Sequence, residues 1–290
     1  MLNDAALAAM VASWPVTNLA VGVTNATTTL ALAGPVEAPF ALASVTKLLV
    51  ALACWVAVEE ETLRFDQPVA LPGPVALPGP VGDAGDAGGV TVAHLLAHAS
   101  GLGPDERRAV APPGTRRIYS NAGFELLAET VETASGLTMA TYLHEAVLDP
   151  LGCAHSSLNG SAAHGAQASV VDLLAIGREL LHPHLIDPAT LQLGTQPWFA
   201  ELAGVLPGFG RHDPNPWGLG VEVRGVKAPH WTGRRNAATT FGHFGRSGTF
   251  LWVDPEAGLA MSMLGDLPFG VWATSAWPTL SDRVLTAAGR

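Results

Sequence analysis

Strand-like segments stand at the two ends of this chain, and helix-like segments fill its middle. Residues 18 to 32 carry Val, Thr and Leu with turn residues between them, the pattern of one hairpin. Four more strand-like stretches come late, at 217 to 226, 239 to 245, 248 to 253 and 258 to 264, separated by Gly, Asp and Pro. Between these ends, residues 45 to 60, 91 to 99, 121 to 147 and 169 to 182 read as helices, the third with a break at Gly136. Short helices are expected at 4 to 13, ahead of Pro15, and at about 275 to 288. Strands so far apart in sequence form one sheet only if the two ends meet. The order therefore predicts an α+β fold. An α/β lobe with an antiparallel sheet flanked by helices would come from about 1–65 and 200–290. A mostly helical lobe, about 66–199, would be inserted between. Asp66 to Gly89 is rich in Pro, Gly and Ala and repeats Ala-Leu-Pro-Gly-Pro, which reads as a loop because each copy carries helix and strand breakers.

Composition narrows the function classes. The net charge is −10, which repels phosphate backbones and anionic lipid, so nucleic acid and membrane surfaces are excluded as partners. The longest apolar run, Leu48 to Val58, is too short to span a bilayer. The N-terminus has no basic segment or cleavage site, so a cytoplasmic protein is expected. Two cysteines, Cys54 and Cys153, make no disulfide framework and read as small core residues in helical surroundings. No cofactor motif appears, and the sequence leaves the oligomeric state open.

The chemistry starts at Ser44. It opens the apolar helix, and Lys47 follows one turn later on the same face. The chain has only two lysines, so the Ser-x-x-Lys spacing is scarce by chance. A serine hydroxyl is a weak nucleophile until a base takes its proton, and a lysine becomes that base when burial lowers its pKa. The positive end of the helix dipole also favours a developing oxyanion at Ser44. Tyr119-Ser120-Asn121 stands just before a second helix. A phenol can relay a proton, and an amide can orient a carbonyl or hold the lysine, although Asn121 is also suited to cap that helix. His243-Phe244-Gly245-Arg246 reads as a strand running into a turn. Gly245 would let a substrate approach the backbone, and the Arg246 N–H would pair with that of Ser44 as an oxyanion hole.

These three elements, in this order, resemble the serine β-lactamase and penicillin-binding-protein superfamily, in its class C-like branch of esterases, D-aminopeptidases and carboxypeptidases. Leu95-Leu96-Ala97-His98-Ala99-Ser100-Gly101-Leu102 is similar to a signature of that branch. So are Ser135-Gly136, Tyr142-Leu143, Asp149-Pro150-Leu151-Gly152, Trp217-Gly218-Leu219-Gly220 and Phe241-Gly242-His243. The resemblance implies a β-lactamase/transpeptidase-like fold and two-step acyl transfer without a cofactor. It implies Ser44 as the acylated nucleophile, Lys47 as its general base, and Tyr119 as base or proton shuttle. Asn121 would contact substrate, and His243 would stand where relatives carry a lysine. The substrate would be a small acyl compound: an ester, a β-lactam or a D-amino-acid peptide.

Two departures bear on specificity. Phe244 replaces a common threonine or serine and removes a hydroxyl that would bind a substrate carboxylate, which favours esters. The segment between Leu102 and Pro112 is short where relatives often carry a longer lid, which suggests an open site or one completed by a partner subunit. Arg246, Arg234 or Arg235 could supply an alternative carboxylate contact, although a solvated surface role is the expected one for each. His94 and His98 are spaced like metal ligands but lack a third ligand at a diagnostic spacing, so structural roles are expected. One or two of the tryptophans at 198, 217, 231, 252, 272 and 277 are expected to line an acyl pocket.

Overall fold

The structure is a computed structural model that describes residues 1–71 and 89–290. Most of the Ala-Leu-Pro-Gly-Pro echo lies outside the described residues. The first part of the chain forms α1 (Asp4–Val11), β1 (Leu19–Thr24), β2 (Thr29–Ala33), β3 (Phe40–Ala41) and α2 (Thr46–Glu59). The middle holds α3 (Val92–Leu96), α4 (Asn121–Ser135), α5 (Met139–Leu143), β4 (Ser157–Leu158), β5 (Ala166–Ala168), α6 (Val170–Leu181) and α7 (Pro188–Thr195). A hairpin of β6 (Gly204–Leu206) and β7 (Gly210–His212) follows. Then come β8 (Glu222–Val223), β9 (Phe241–Gly245), β10 (Thr249–Asp254), β11 (Leu259–Gly265) and α8 (Val271–Ala287).

The main sheet is antiparallel and six-stranded, in the order β2-β1-β11-β10-β9-β8. The two ends of the chain meet where β1 pairs with β11, with Val21 opposite Met263. Alternate residues serve opposite faces. Val21, Val23, Phe250, Trp252, Met261 and Met263 pack toward α1 and α8, with Leu7, Trp277 and Val284. Ala20, Leu251, Val253, Ala260 and Leu264 face the other side, where α6 lies. That helix sits so close that a Cβ on Gly22 would fall 2.7 Å from Leu174 and 2.8 Å from Val170. With both faces covered, β10 and β11 are buried along their whole length and read as continuous apolar runs.

α2 is buried from Thr46 to Ala57, which accounts for its apolar surface on all sides. It packs against α4, α5 and α7. α4 starts where the Ser120 hydroxyl accepts from Gly123 N–H, and it ends at Gly136 in the left-handed region. Ser120 is therefore the cap, and Asn121 is the first helical residue with its side chain free for another task. A π-helical turn, His144–Leu148, continues α5.

Several expectations need correction. β8 covers only Glu222–Val223 of the strand-like stretch 217 to 226. α8 begins at Val271 and carries Pro278 inside it. α7 and the short β4 to β7 are additional to the expected elements. Cys54 lies within α2, but Cys153 lies in the turn after the π-helical segment; both thiols are buried and unpaired with each other.

Candidate active site

Ser44 sits in a short 3-10 turn, Ala43–Val45, that leads into α2. Ala43 before it has φ of +46°, a left-handed conformation that costs an alanine about 1 kcal/mol or more and needs outside support. The support comes from the β9–β10 corner. Thr249 Oγ1 donates to the Leu42 carbonyl at 2.8 Å, and Ser247 Oγ donates to the Ala41 carbonyl at 2.7 Å. From the other side Leu42 N–H donates to Ala166 O at 2.9 Å. The Ser44 turn is thus clamped between the main sheet and the small β3-β5-β4 sheet.

Gly245 makes the clamp possible. A Cβ there would lie 2.2 Å from the Leu42 carbonyl oxygen and 2.4 Å from Thr249 Oγ1. The close approach that Gly245 permits is that of the chain's own Ser44 turn. Gly245→Ala is expected to cost about 1–3 kcal/mol through this overlap and to lower activity per folded molecule, because Ser44 must shift. Urea melts run beside activity assays check it; two unchanged values would show that the turn yields freely.

Lys47 is completely buried. Its Nζ donates to Asn121 Oδ1 at 2.6 Å and to the Ala163 carbonyl at 2.9 Å, and it lies 4.7 Å from the centre of the Tyr119 ring. Burial lowers its pKa from 10.5 to about 7, with Glu125 and Asp105 offsetting part of the fall. A substantial fraction is therefore the free amine near neutral pH. Burial pushes the Tyr119 phenol up, and a hydrogen bond with Ser44 reverses only part of this. Tyr119 remains protonated near neutral pH and can pass a proton on.

His243 points at Tyr119, with Nε2 3.4 Å from the phenol oxygen. Its Nδ1 lies 2.7 Å from the Phe244 carbonyl, which can only accept, so Nδ1 carries the ring hydrogen and Nε2 is an acceptor. Burial, then the neighbouring Lys47, lower its pKa to about 3. His243 is neutral here and does not reproduce the charge of a lysine. His98, with φ of +54°, stacks on Tyr119 at 4.5 Å and accepts Ser120 N–H at Nδ1. His94 closes a capping box with Thr91, so each of these two histidines has a structural partner.

Ser44, Tyr119, Asn121, His243 and Arg246 line one cleft of about 320 Å³. Lys47 stands behind them. Leu206, Pro207, Phe244 and Phe269 form an apolar end, and Trp217 is the tryptophan of the expected group that reaches the wall. Arg246 is exposed at this cleft, whereas Arg235 is tied to Asp282 and the Arg290 carbonyl. Phe244 belongs to the α8-side core, with Phe269 at 5.2 Å and Trp231 at 5.7 Å.

Some supports escaped the sequence reading. Arg117 is buried and gives its guanidinium N–H groups to the carbonyls of Ala97, Trp198, Phe199 and Asn215. Glu222, at the cleft, pairs with Lys227 and accepts from His230 at 2.9 Å and Trp231 at 2.8 Å. Burial alone would raise the Glu222 pKa, but His230 and Lys227 outweigh it and hold it well below the usual range. The scarcity of lysine was one available signal for Lys227. Among the described residues, no helix is long and apolar enough to cross a membrane.

A beta-lactamase family profile matches residues 3–270. A crystal structure described as a beta-lactamase from Mycobacterium bovis is 44% identical, with a TM-score of 0.90, and the match covers 97% of this chain and 99% of that one. A hydrolase with promiscuous acyltransferase activity superposes at a TM-score of 0.77 and 16% identity, over 97% of this chain and 99% of that one. A simvastatin synthase from Aspergillus terreus superposes at 0.77 and 19%, over 98% and 97%. These last two likenesses are of fold. A search of the curated proteins found no match.

Proposed function

The chain belongs to the beta-lactamase family, and from that premise we propose that it hydrolyses carboxylic esters of small or medium acyl groups through an acyl-enzyme on Ser44. One observation carries the reading: Lys47, one turn from Ser44, is buried with its pKa lowered to about 7 and, among the described residues, no carboxylate on its amine. It is a base suited to neutral pH. Lys47 Nζ takes the Ser44 proton as Ser44 Oγ bonds to the ester carbonyl carbon. The carbonyl π-electrons move to oxygen, and the backbone N–H groups of Ser44 and Arg246 receive that oxyanion. The C–O bond to the alcohol then breaks, and the proton held by Lys47 reaches the departing alkoxide through the Tyr119 hydroxyl. Water repeats the sequence on the acyl-enzyme, releasing the acid and restoring Ser44. His243 Nε2 accepts from Tyr119 and orients it. The apolar end of the cleft takes the acyl group.

A second reading, β-lactam hydrolysis, is favoured by the 44% identity to the protein described as a beta-lactamase. Against it stands Phe244, an apolar core side chain where a hydroxyl would help hold a carboxylate. Initial rates with p-nitrophenyl butyrate, nitrocefin and a D-alanyl dipeptide decide between them. The expected result is kcat/KM for the ester at least about 100-fold above the other two, with no turnover by Ser44→Ala, a preference equal to about 3 kcal/mol in the transition state. Equal or faster nitrocefin turnover would establish the second reading.

A further inference from the structure

We propose that Asp105 is a positioning residue: by accepting the Asn121 amide hydrogens it fixes that carboxamide with its oxygen on Lys47, and so keeps the lysine's lone pair free for Ser44. The proposal rests on Ser44 as nucleophile and Lys47 as base.

Asp105 lies in the short segment between Leu102 and Pro112. This segment is tied to the start of α4. Ser120 Oγ donates to the Gly103 carbonyl at 2.7 Å, and Asn121 N–H donates to the Pro104 carbonyl at 2.6 Å. The next residue brings its carboxylate over the helix end, where Asn121 Nδ2 donates to Asp105 Oδ1 at 2.7 Å. Asn121 Oδ1 meanwhile accepts from Lys47 Nζ at 2.6 Å.

A carboxamide has a donor end and an acceptor end. An ionised carboxylate only accepts, so Asp105 dictates which end faces inward. The consequence falls on Lys47. A neutral amine has two N–H donors and one lone pair. Asn121 Oδ1 and the Ala163 carbonyl use both donors, which leaves the lone pair for the Ser44 proton. A flipped Asn121 would present its NH₂ group to that lone pair and block the base.

Asp105 also acts through charge. The titratable groups around Lys47 are Glu125 on α4, Asp105, the Tyr119 phenol, and the neutral rings of His98 and His243. Burial lowers the Lys47 pKa, and Glu125 and Asp105 raise it. Removing the Asp105 charge therefore lowers the Lys47 pKa and moves the onset of activity to lower pH.

The test is the rate at which a fluorophosphonate labels Ser44, followed by intact-protein mass between pH 5 and 9. Wild type, Ser44→Ala, Asp105→Asn and Asp105→Ala are compared. Asp105 is exposed, so both variants suit a folded chain, and the asparagine is isosteric. In Asp105→Asn the acid limb is expected to move down by roughly half a pH unit, the share of an exposed charge. Asp105→Ala shows the same shift and a plateau about tenfold lower, the cost of one lost orienting hydrogen bond. Asp105→Asn keeps more of the plateau, because its amide oxygen still accepts from Asn121. Labelled wild type with an Asp105→Ala plateau equal to that of wild type overturns the positioning role of Asp105 alone, whether or not the limbs move. A wild type that takes no label at Ser44 overturns the hydrolase reading, and this proposal with it.

Discussion

Lys47→Met is expected to lower kcat/KM for an ester about 10⁴-fold, the scale of a lost general base on a serine nucleophile. In the wild type, kcat/KM should fall about tenfold per pH unit below pH 7, because Lys47 is protonated there and has no lone pair to offer. His243, with its pKa near 3, adds no limb in this range. The same substitution should make the protein more stable. A buried lysine whose pKa drops from 10.5 to about 7 binds fewer protons folded than unfolded between those values, so stability rises with pH across that window. The penalty is full below pH 7, on the order of 5 kcal/mol, and fades as the pH approaches 10.5. Methionine avoids it, at the cost of leaving Asn121 Oδ1 and the Ala163 carbonyl without their donor. The melting temperature of Lys47→Met should thus exceed that of wild type at pH 6, with the gap closing toward pH 10. A variant that keeps near-wild-type turnover at pH 7 would remove Lys47 from the role of base.

Arg117→Ala is expected to destabilise the fold by about 3–5 kcal/mol. Burial lowers the Arg117 pKa to about 10, so it is a cation at neutral pH, and backbone carbonyls alone hold it. Those carbonyls come from the end of α3, the chain after α7 and the approach to Trp217. Removing the guanidinium takes a donor from four backbone carbonyls, those of Ala97 and Asn215 in buried contacts and those of Trp198 and Phe199 in part-buried ones, and loosens Tyr119, two residues along. Arg117→Lys should recover only part of the loss, since an ammonium cannot fork across four carbonyls. Urea denaturation of the three proteins measures this; a loss below about 1 kcal/mol for alanine would show that water replaces the side chain.

Much of this arrangement was legible in the sequence because it rests on spacing. The helix through Lys47 is apolar throughout, Gly136 marks the end of α4, and Ser44, Lys47, Tyr119, Asn121 and His243 occur in motif order. The structure brings all five to one place. What escaped depends on distance instead. Asp105, Arg117 and Glu222 look like ordinary surface charges until burial and hydrogen-bond partners are known. The two- and three-residue strands β3 to β8 are too short to show a period and exist because distant segments pair with them. α7 buries only Gly194 fully, with Leu191 partly buried against the core, so its pattern is faint. The expected helix at 275 to 288 already spans Pro278; what it misses is the first turn of α8, which starts on the exposed Val271.

The pairing of β1 with β11 has a consequence in time. During synthesis β1 and β2 are made early, yet the partner that joins β1 to the rest of the sheet is residues 259–265. Ser44 and Lys47 likewise leave the ribosome about 200 residues before Gly245, Thr249 and Ser247, which hold their turn. A growing chain therefore carries the proposed nucleophile for most of its elongation without the means to use it. Pairing over such separations is slow. Hydrolytic competence would then arrive abruptly, when the last strands close the sheet, and a chain cut short before them would hold the Ser-Lys pair while remaining inert.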